Sequence, residues 1–159
     1  MTLPTVFKFE PMNEVNARAV QSWRYEAPYD LYNLTSDTLT AFLDPLYRYY
    51  SVIDEQGELI AFRCFGADAR VPGGDYSADA LDMGGGLRPD LTGQGLGPRV
   101  MNAAIEFARI QFAPKAFRTT VAAFNQRALR ACEKVGYEPV QRFIATHNGM
   151  PFVVLMRVA

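Results

Sequence analysis

The chain has few of the residues that mark metal centres or disulfide frameworks. Its 159 residues include two cysteines, Cys64 and Cys132, and one histidine, His147. The cysteines form neither a close pair nor a metal-ligand cluster, so we interpret them as small apolar residues in a reducing compartment. We therefore expect no metal and no structural disulfide.

The chain also lacks a charge excess and a long apolar run. A formal net charge of −1 gives little reason to expect nucleic acid or an anionic membrane as a partner. No run of about 18 apolar residues and no cationic start before an apolar run occurs, so membrane spanning and export are not expected. With 49% hydrophobic and 21% charged residues, residues 1–159 are expected to form one domain, and we predict a cytoplasmic protein.

Glycine, in contrast, is concentrated in one stretch. Six glycines fall within the fourteen positions from Gly84 to Gly97, between a strand-like start and an amphipathic helix with Pro98 in its first turn. Alternating glycines let backbone N–H groups turn toward one point, and a helix N-terminus adds a partial positive charge. The stretch therefore predicts a phosphate-bearing ligand that is held mostly by main chain.

Two common phosphate motifs do not fit this stretch. A P-loop requires Gly-Lys-Ser or Gly-Lys-Thr, and no glycine here is followed by lysine. A dinucleotide fingerprint requires G-x-G-x-x-G near the start of a βαβ unit, whereas the spacing here is G-x-G-x-G after a strand hairpin. Both nucleotide hydrolysis and dinucleotide binding are therefore disfavoured.

Periodicity and turn residues predict the order β α α β β β α β α β β. Asn13 and Asn125 are placed to cap helices, Gly57 lies in a predicted hairpin turn, and Asn148-Gly149 predicts a second hairpin at the C-terminus. Hairpins combined with one strand–helix–strand–helix unit favour a mixed sheet with helices on both faces. Gly84 and Gly85 either form a bulge that opens a cleft or relieve crowding.

Two motifs resemble the GNAT superfamily of acyl-CoA-dependent N-acyltransferases. Leu87-Arg88-Pro89 followed by Thr92-Gly93-Gln94-Gly95-Leu96-Gly97 matches the family's apolar-x-Pro and glycine motif. The series from Asn125 through Ala128 and Glu133-Lys134 to Gly136-Tyr137 is similar to its last helix signature. The resemblance implies an α/β (α+β) fold: a central mixed, mostly antiparallel sheet of about seven strands with helices on both faces.

The resemblance also implies acetyl-CoA as cosubstrate. Loop amides would hold the pyrophosphate, and the end of the strand near Leu87 would pair with the pantetheine arm where two strands splay apart. The implied cofactor-binding residues are Leu87, Thr92, Gly93, Gln94, Gly95, Leu96, Gly97 and Asn125. One departure is Thr92, because the family usually has arginine or glutamine there; the expected consequence is a weaker side-chain contact.

The implied reaction is attack of an amine on the thioester carbonyl, which requires removal of a proton. Asp82, on the strand before the glycines, is our first choice as base, and Glu26 is the second candidate on the acceptor side; either could instead be a solvated or paired charge. His147 reads better as a turn residue than as a catalytic one. Many members carry a tyrosine acid on the last helix, where this chain has Cys132.

Two functions remain open. The first is an N-acetyltransferase that acts on a primary amine of a small molecule or peptide by direct transfer in a ternary complex. The second, motivated by Thr92 and Cys132, is an acyl-CoA-binding sensor or interaction module without catalysis. The C-terminal hairpin is a plausible pairing element for a homodimer. Residue types do not identify the acceptor.

Overall fold

A computed structural model describes residues 2–159 as seven strands and four α-helices in the predicted order. The strands are β1 (Lys8–Pro11), β2 (Tyr49–Ile53), β3 (Leu59–Phe65), β4 (Leu81–Leu87), β5 (Ala116–Ala122), β6 (Glu138–Ile144) and β7 (Pro151–Val158). The helices are α1 (Glu14–Ser22), α2 (Thr38–Leu43), α3 (Leu96–Phe112) and α4 (Gln126–Lys134).

The strands form one sheet in the order β1-β2-β3-β4-β5-β7-β6. All neighbours pair antiparallel except β4 and β5, which run parallel. The parallel pair is joined through α3, because parallel strands need a crossover connection. The structure therefore confirms the predicted mixed, mostly antiparallel seven-stranded sheet.

Helices cover both faces of the sheet. On one face, α1 and α2 bury Ala17, Val20 and Phe42 against aromatic residues of the sheet. On the other face, α3 buries a stripe that includes Ala104 and Ile105 against β4, β5 and α4. Each helix thus contributes the one apolar face that an amphipathic helix must cover.

Local signals set most of the element boundaries. The Asn13 and Asn125 side chains cap α1 and α4 by accepting from the amides of Asn16 and Ala128. Gly57, at φ +80°, turns the β2–β3 hairpin as expected. One boundary differs from the pattern, because the spacing of Leu39, Phe42, Leu43 and Leu46 predicts a helix that reaches Leu46. α2 instead ends at Leu43, since Asp44 and Pro45 start a separate 3₁₀ turn and leave Leu46 exposed.

A second difference lies in the glycine stretch itself. Gly84, Gly85 and Gly86 are strand residues of β4, which continues to Leu87, and the loop begins only after that residue. β3 and β4 pair here without a register shift, so no bulge opens the sheet. Of the two alternatives for these glycines, the structure supports relief of crowding: a Cβ on Gly85 would lie 2.1 Å from the carbonyl oxygen of Phe62.

Candidate functional site

A cleft opens where β4 and β5 separate. The two strands pair only at Leu81 with Phe117 and Asp82 with Arg118, and the Thr119 hydroxyl then bonds the Met83 carbonyl at 2.9 Å. Beyond this point the strands diverge around a cavity of about 640 Å³ that reaches both faces of the sheet. The glycine loop, α4 and the aromatic segment after α1 all line it.

The edge of β4 offers free main-chain groups to this cleft. The Arg88 amide donates to the Ile60 carbonyl, which fixes the residues of β4 that bond to β3. Because bonded and non-bonded residues alternate in an antiparallel pair, Gly85 and Leu87 direct their main-chain groups away from β3. No strand pairs with them on the β5 side. The Tyr25 hydroxyl donates to the Leu87 carbonyl at 2.5 Å, while the amides stay available to a ligand that carries carbonyl groups.

The glycine loop lies at the N-terminus of α3. Gly93 and Gly95 have φ values of +75° and +82°, and Gly95 is the N-cap of α3 without a side-chain hydrogen bond. The first amides of a helix have no intrahelical partner. Since Gly93, Gly95 and Gly97 line the cleft, these amides are available to an anionic group in it.

The side chains next to these glycines form contacts within the protein, and two of them bond to main chain of the loop. The Thr92 hydroxyl donates to the Pro89 carbonyl at 2.8 Å, and the Gln94 amide donates to the Asp90 carbonyl at 2.8 Å. The Leu96 side chain is fully buried in the core. Any contact of Gln94 and Leu96 with a ligand would therefore come from main chain.

Three basic residues on α4 add positive charge that the sequence reasoning missed. Arg127, Arg130 and Lys134 line the cleft, and the Arg127 guanidinium lies over the Tyr29 ring at 4.0 Å. A Cβ on Gly93 would lie 3.3 Å from an Arg127 nitrogen, so this cation borders the glycine loop. The spacing of the three residues along one helix face was the signal that could have revealed them.

Asn125 connects the cap of α4 to the aromatic segment. Its Oδ1 accepts from the Ala128 amide at 3.0 Å, and its Nδ2 donates to the Tyr32 hydroxyl at 3.2 Å. Asn125 also lines the cleft. The structure thus brings Asn125 together with the glycine loop and Leu87 around one cleft.

The opposite side of the cleft is aromatic and carries one carboxylate. Trp23, Tyr25, Tyr49 and Phe62 line it, and the Tyr49 hydroxyl donates to the carboxylate of Asp68. Burial raises the pKa of Tyr25 to about 12 and also raises that of Tyr49, so both hydroxyls stay protonated at neutral pH. Sequence reasoning missed Asp68, which lies in a short 3₁₀ turn after β3.

Neither predicted base lies in the cleft. Asp82 is 3% exposed, and its two oxygens accept from Arg118 at 2.7 and 2.9 Å and from Arg70 at 2.8 Å. The two guanidinium groups occupy three of the roughly four acceptor positions of this buried carboxylate, so this geometry favours a structural role. Glu26 is exposed, and it does not line the cleft. His147 is exposed in the β6–β7 turn, as expected.

Cys132 and Arg63 face a small cavity of about 10 Å³ at the inner end of the cleft. Burial raises the pKa of the Cys132 thiol to about 11, so it is a neutral thiol near pH 7. Burial also lowers the pKa of Arg63, whose Nε has no hydrogen-bond partner. Arg63 reaches this position from β3 by crossing β4 beside Gly85, where a Cβ would lie 2.8 Å from its Cδ.

The profile of the acetyltransferase (GNAT) family matches residues 12–137, so the chain belongs to the GNAT family. No curated protein matches the chain in sequence. In residues 2–159 no helix is long and apolar enough to cross a membrane, and no group of three or more histidine, cysteine or acidic residues could hold a metal ion.

Solved structures share the fold at low identity. A GNAT-family acetyltransferase from Bacillus anthracis is 11% identical, with a TM-score of 0.76 over 98% of this chain and 96% of that chain. AAC(6')-Ib in complex with ribostamycin and coenzyme A is 16% identical, with a TM-score of 0.74 over 97% and 94%. A chimera of spermidine N-acetyltransferase SpeG from Vibrio cholerae and hSSAT is 14% identical, with a TM-score of 0.72 over 96% and 94%.

Proposed function

We propose that the protein is an acetyl-CoA-dependent N-acetyltransferase that transfers the acetyl group directly to a primary amine. The observation that carries this proposal is one cleft that joins an anion site at the N-terminus of α3 to an unpaired edge of β4. Coenzyme A has a pyrophosphate at one end and an amide-bearing arm at the other. The cleft offers matching groups in the same order.

The phosphate end of the ligand would lie against the glycine loop. Main-chain amides from Gly93 to Gly97 supply directed donors, and Arg127 beside Gly93 supplies a full positive charge. Thr92 and Gln94 would position this loop through their bonds to Pro89 and Asp90. The positive charge of Arg127 on α4 would compensate for the arginine or glutamine contact that Thr92 cannot make.

The pantetheine arm would lie along β4 as an added strand. The unpaired main-chain groups of Gly85 and Leu87 are available for such pairing, and Asn125 borders the same path. This arrangement would leave the thioester near the inner end of the cleft, where a β4 amide could polarise the carbonyl.

The amine would enter from the aromatic side. Tyr49, Phe62 and Trp23 offer ring faces to an ammonium group, and Asp68 offers the opposite charge. We propose Asp68, directly or through a water molecule, as the group that accepts the amine proton in place of Asp82 and Glu26. An amine acceptor is supported by structures of the same fold: one is a spermidine N-acetyltransferase chimera, and another is in complex with ribostamycin and coenzyme A.

Substitution of Gly95 by Val tests the cofactor half of this proposal against a matched control. Gly95 and Gly57 have nearly the same φ, +82° and +80°, and a Cβ at either position meets no atom within 4 Å. Both substitutions therefore strain the backbone equally, but only the one at Gly95 enters the proposed phosphate site. We expect Gly95→Val to abolish acetyl-CoA binding in calorimetry and Gly57→Val to retain it. Equal affinities of the two variants would mean that the phosphate-binding site lies elsewhere.

Asp68→Asn tests the acceptor half. We expect about 10²-fold or greater loss of turnover with retained acetyl-CoA affinity, measured by thiol release over a panel of amines. Undiminished turnover would exclude Asp68 as base.

A second candidate function is acyl-CoA binding without transfer, as in a sensor. The observation that favours it is Cys132, a buried neutral thiol where many family members place a tyrosine acid. Binding of coenzyme A with no thiol release for any amine in the panel would support this candidate.

We also propose a homodimer that pairs through the C-terminal hairpin. β6 is an edge strand of the sheet, and it exposes Val140 and Ile144. Light scattering of the wild type and of Val140→Lys checks this proposal, since a charge on a pairing edge should give monomers. A monomeric wild type would contradict it.

A further inference from the structure

Arg63 is a buried cation without an anion. Its side chain is 8% exposed, its Nε has no partner, and no carboxylate forms an ion pair with it in residues 2–159. The cavity that it faces is lined by Met83, Met101, Ile105, Thr119, Cys132 and Tyr137. An apolar residue at this place would avoid the large cost of burying a charge.

The ionisable side chains whose charges act on Arg63 are all neutral near pH 7. Cys64 on β3, Cys132 on α4 and Tyr137 after α4 lie close enough to interact with its charge, and burial raises the pKa of each of them. β4, β5 and α3 present only Met83, Thr119, Met101 and Ile105 to the cavity. The carboxylate of the main cleft, Asp68, accepts a hydrogen bond from Tyr49 and forms no ion pair with Arg63. Within the part of the chain that the structure describes, Arg63 is therefore a positive charge without a counter-ion in the protein without ligand.

Position limits what that partner can be. The guanidinium has crossed under β4 and lies where β4 and β5 begin to diverge, beside both the small cavity and the main cleft. The small cavity, at about 10 Å³, has room for about one water molecule and not for an acyl chain. The partner must therefore be a charge that appears on a ligand already in the cleft.

We propose that Arg63 stabilises the thiolate of coenzyme A as it leaves. This inference rests on the proposed function. In the transfer step the amine nitrogen bonds to the carbonyl carbon, and the C–S bond breaks with its electron pair going to sulfur. The amine proton goes to Asp68 or to water. The sulfur thus becomes an anion at the inner end of the cleft, and the fixed guanidinium supplies its counter-charge without a proton from Cys132.

Binding of coenzyme A and of its S-methyl thioether tests the inference without turnover. The thioether cannot form a thiolate, and a cation close to a thiol lowers its pKa by one unit or more. We expect the affinity for coenzyme A, relative to the thioether, to rise about tenfold between about pH 6.5 and about pH 9 in calorimetry of the wild type. Arg63→Met should remove this rise, and Arg63→Lys should retain part of it.

The outcomes separate the inference from the function on which it rests. Arg109→Met is the control, because it removes one positive charge from α3 beside Glu106 and away from the cleft; it should keep the pH-dependent rise. If Arg63→Met weakens both ligands equally, its role is structural and the inference fails. Selective loss of succinyl-CoA turnover, with acetyl-CoA turnover kept, would assign Arg63 to an acyl carboxylate instead. Absence of any coenzyme A binding would overturn the proposed function itself.

Discussion

Two buried arginines flank β4, and they have opposite surroundings. Arg118 on β5 is 1% exposed, donates twice to Asp82 and once to the Ala78 carbonyl, and lies over the Tyr76 ring. Arg63 on β3 is nearly as buried and has no such partners. The paired arginine lies where β4 and β5 are held together, and the unpaired one lies where they part. The ion pair of Arg118 with Asp82 thus holds β4 and β5 together at one point, and the unpaired charge of Arg63 lies where the cleft begins.

Asp82→Asn should have the largest effect on this comparison. Removal of one partner from a buried ion pair leaves an uncompensated charge and costs about 3–5 kcal/mol. We expect that loss in the free energy of unfolding by urea titration, since Arg118 would become a second unpaired cation. Asp68→Asn, at an exposed carboxylate, is the stability control. Full stability with lost turnover in Asp82→Asn would restore Asp82 as the catalytic base.

Gly85→Ala should have the next largest effect, because it obstructs the path of Arg63. Gly85 has φ +152°, and its Cβ would lie 2.1 Å from the Phe62 carbonyl oxygen and 2.8 Å from the Arg63 Cδ. Backbone strain of this kind costs on the order of 1–3 kcal/mol, and the affinity for acetyl-CoA should fall as well. Gly84→Ala meets only side-chain and Cα atoms at 3.2 Å or more, so it should cost less. Equal losses would mean that Arg63 does not depend on this gap.

Alkaline pH should destabilise the protein through the thiols around Arg63. The pKa values of Cys64 and Cys132 rise from 9.0 to about 11 on folding. Between these values the unfolded chain releases protons that the folded chain retains, so stability falls as pH rises from about 9 to about 11. We expect about 1–2 kcal/mol per thiol, and Cys132→Ala should flatten the slope. A free energy of unfolding that instead rises with pH below about 9 would indicate thiolates in the folded protein, and Arg63 would then have an anionic partner.

Arg63→Met should have the smallest effect on stability. It removes a buried cation that has no partner, so the free energy of unfolding should stay unchanged or rise by up to about 1 kcal/mol. Arg118→Met, which leaves Asp82 buried without its main partner, should instead lose about 3–5 kcal/mol. The two thermal midpoints, measured side by side, check the comparison directly. A large loss in Arg63→Met would mean that its methylene stem carries packing that the charge does not explain.

Local signals explain why the fold could be predicted from the sequence. Caps at Asn13 and Asn125 and turns at Gly57 and Gly149 act within a few residues, so they are legible without tertiary structure. The sequence pattern predicts a loop at Gly84 to Gly86, where the structure has a strand, because these glycines reflect contacts with distant residues and not a turn. Propensity carries no information on such contacts.

The residues of the candidate site also divide into those that a local motif predicts and those that depend on tertiary structure. The glycine loop and Asn125 could be predicted because a contiguous motif and a helix cap place them. The ion pair of Asp82 with Arg118 depends on strand register across 36 positions, which no local pattern records. The positions of Arg63 beside Gly85 and of Asp68 beside Tyr49 likewise depend on contacts between distant segments. Sequence patterns thus place a charged residue on its strand or helix, but they do not identify the distant residues that surround it.

The bond from the Tyr25 hydroxyl to the Leu87 carbonyl has a consequence for how binding at one side of the cleft affects the other side. It ties the segment that follows α1 to the last residue of β4, and so connects the side of the cleft that we propose for the amine to the side that we propose for acetyl-CoA. A ligand that bonds to the Leu87 carbonyl must share it with the Tyr25 hydroxyl or displace that hydroxyl. The surface that the second ligand contacts then differs from the surface in the protein without ligand. Affinities for the two ligands are in that case thermodynamically coupled, and the coupling is equal in both directions.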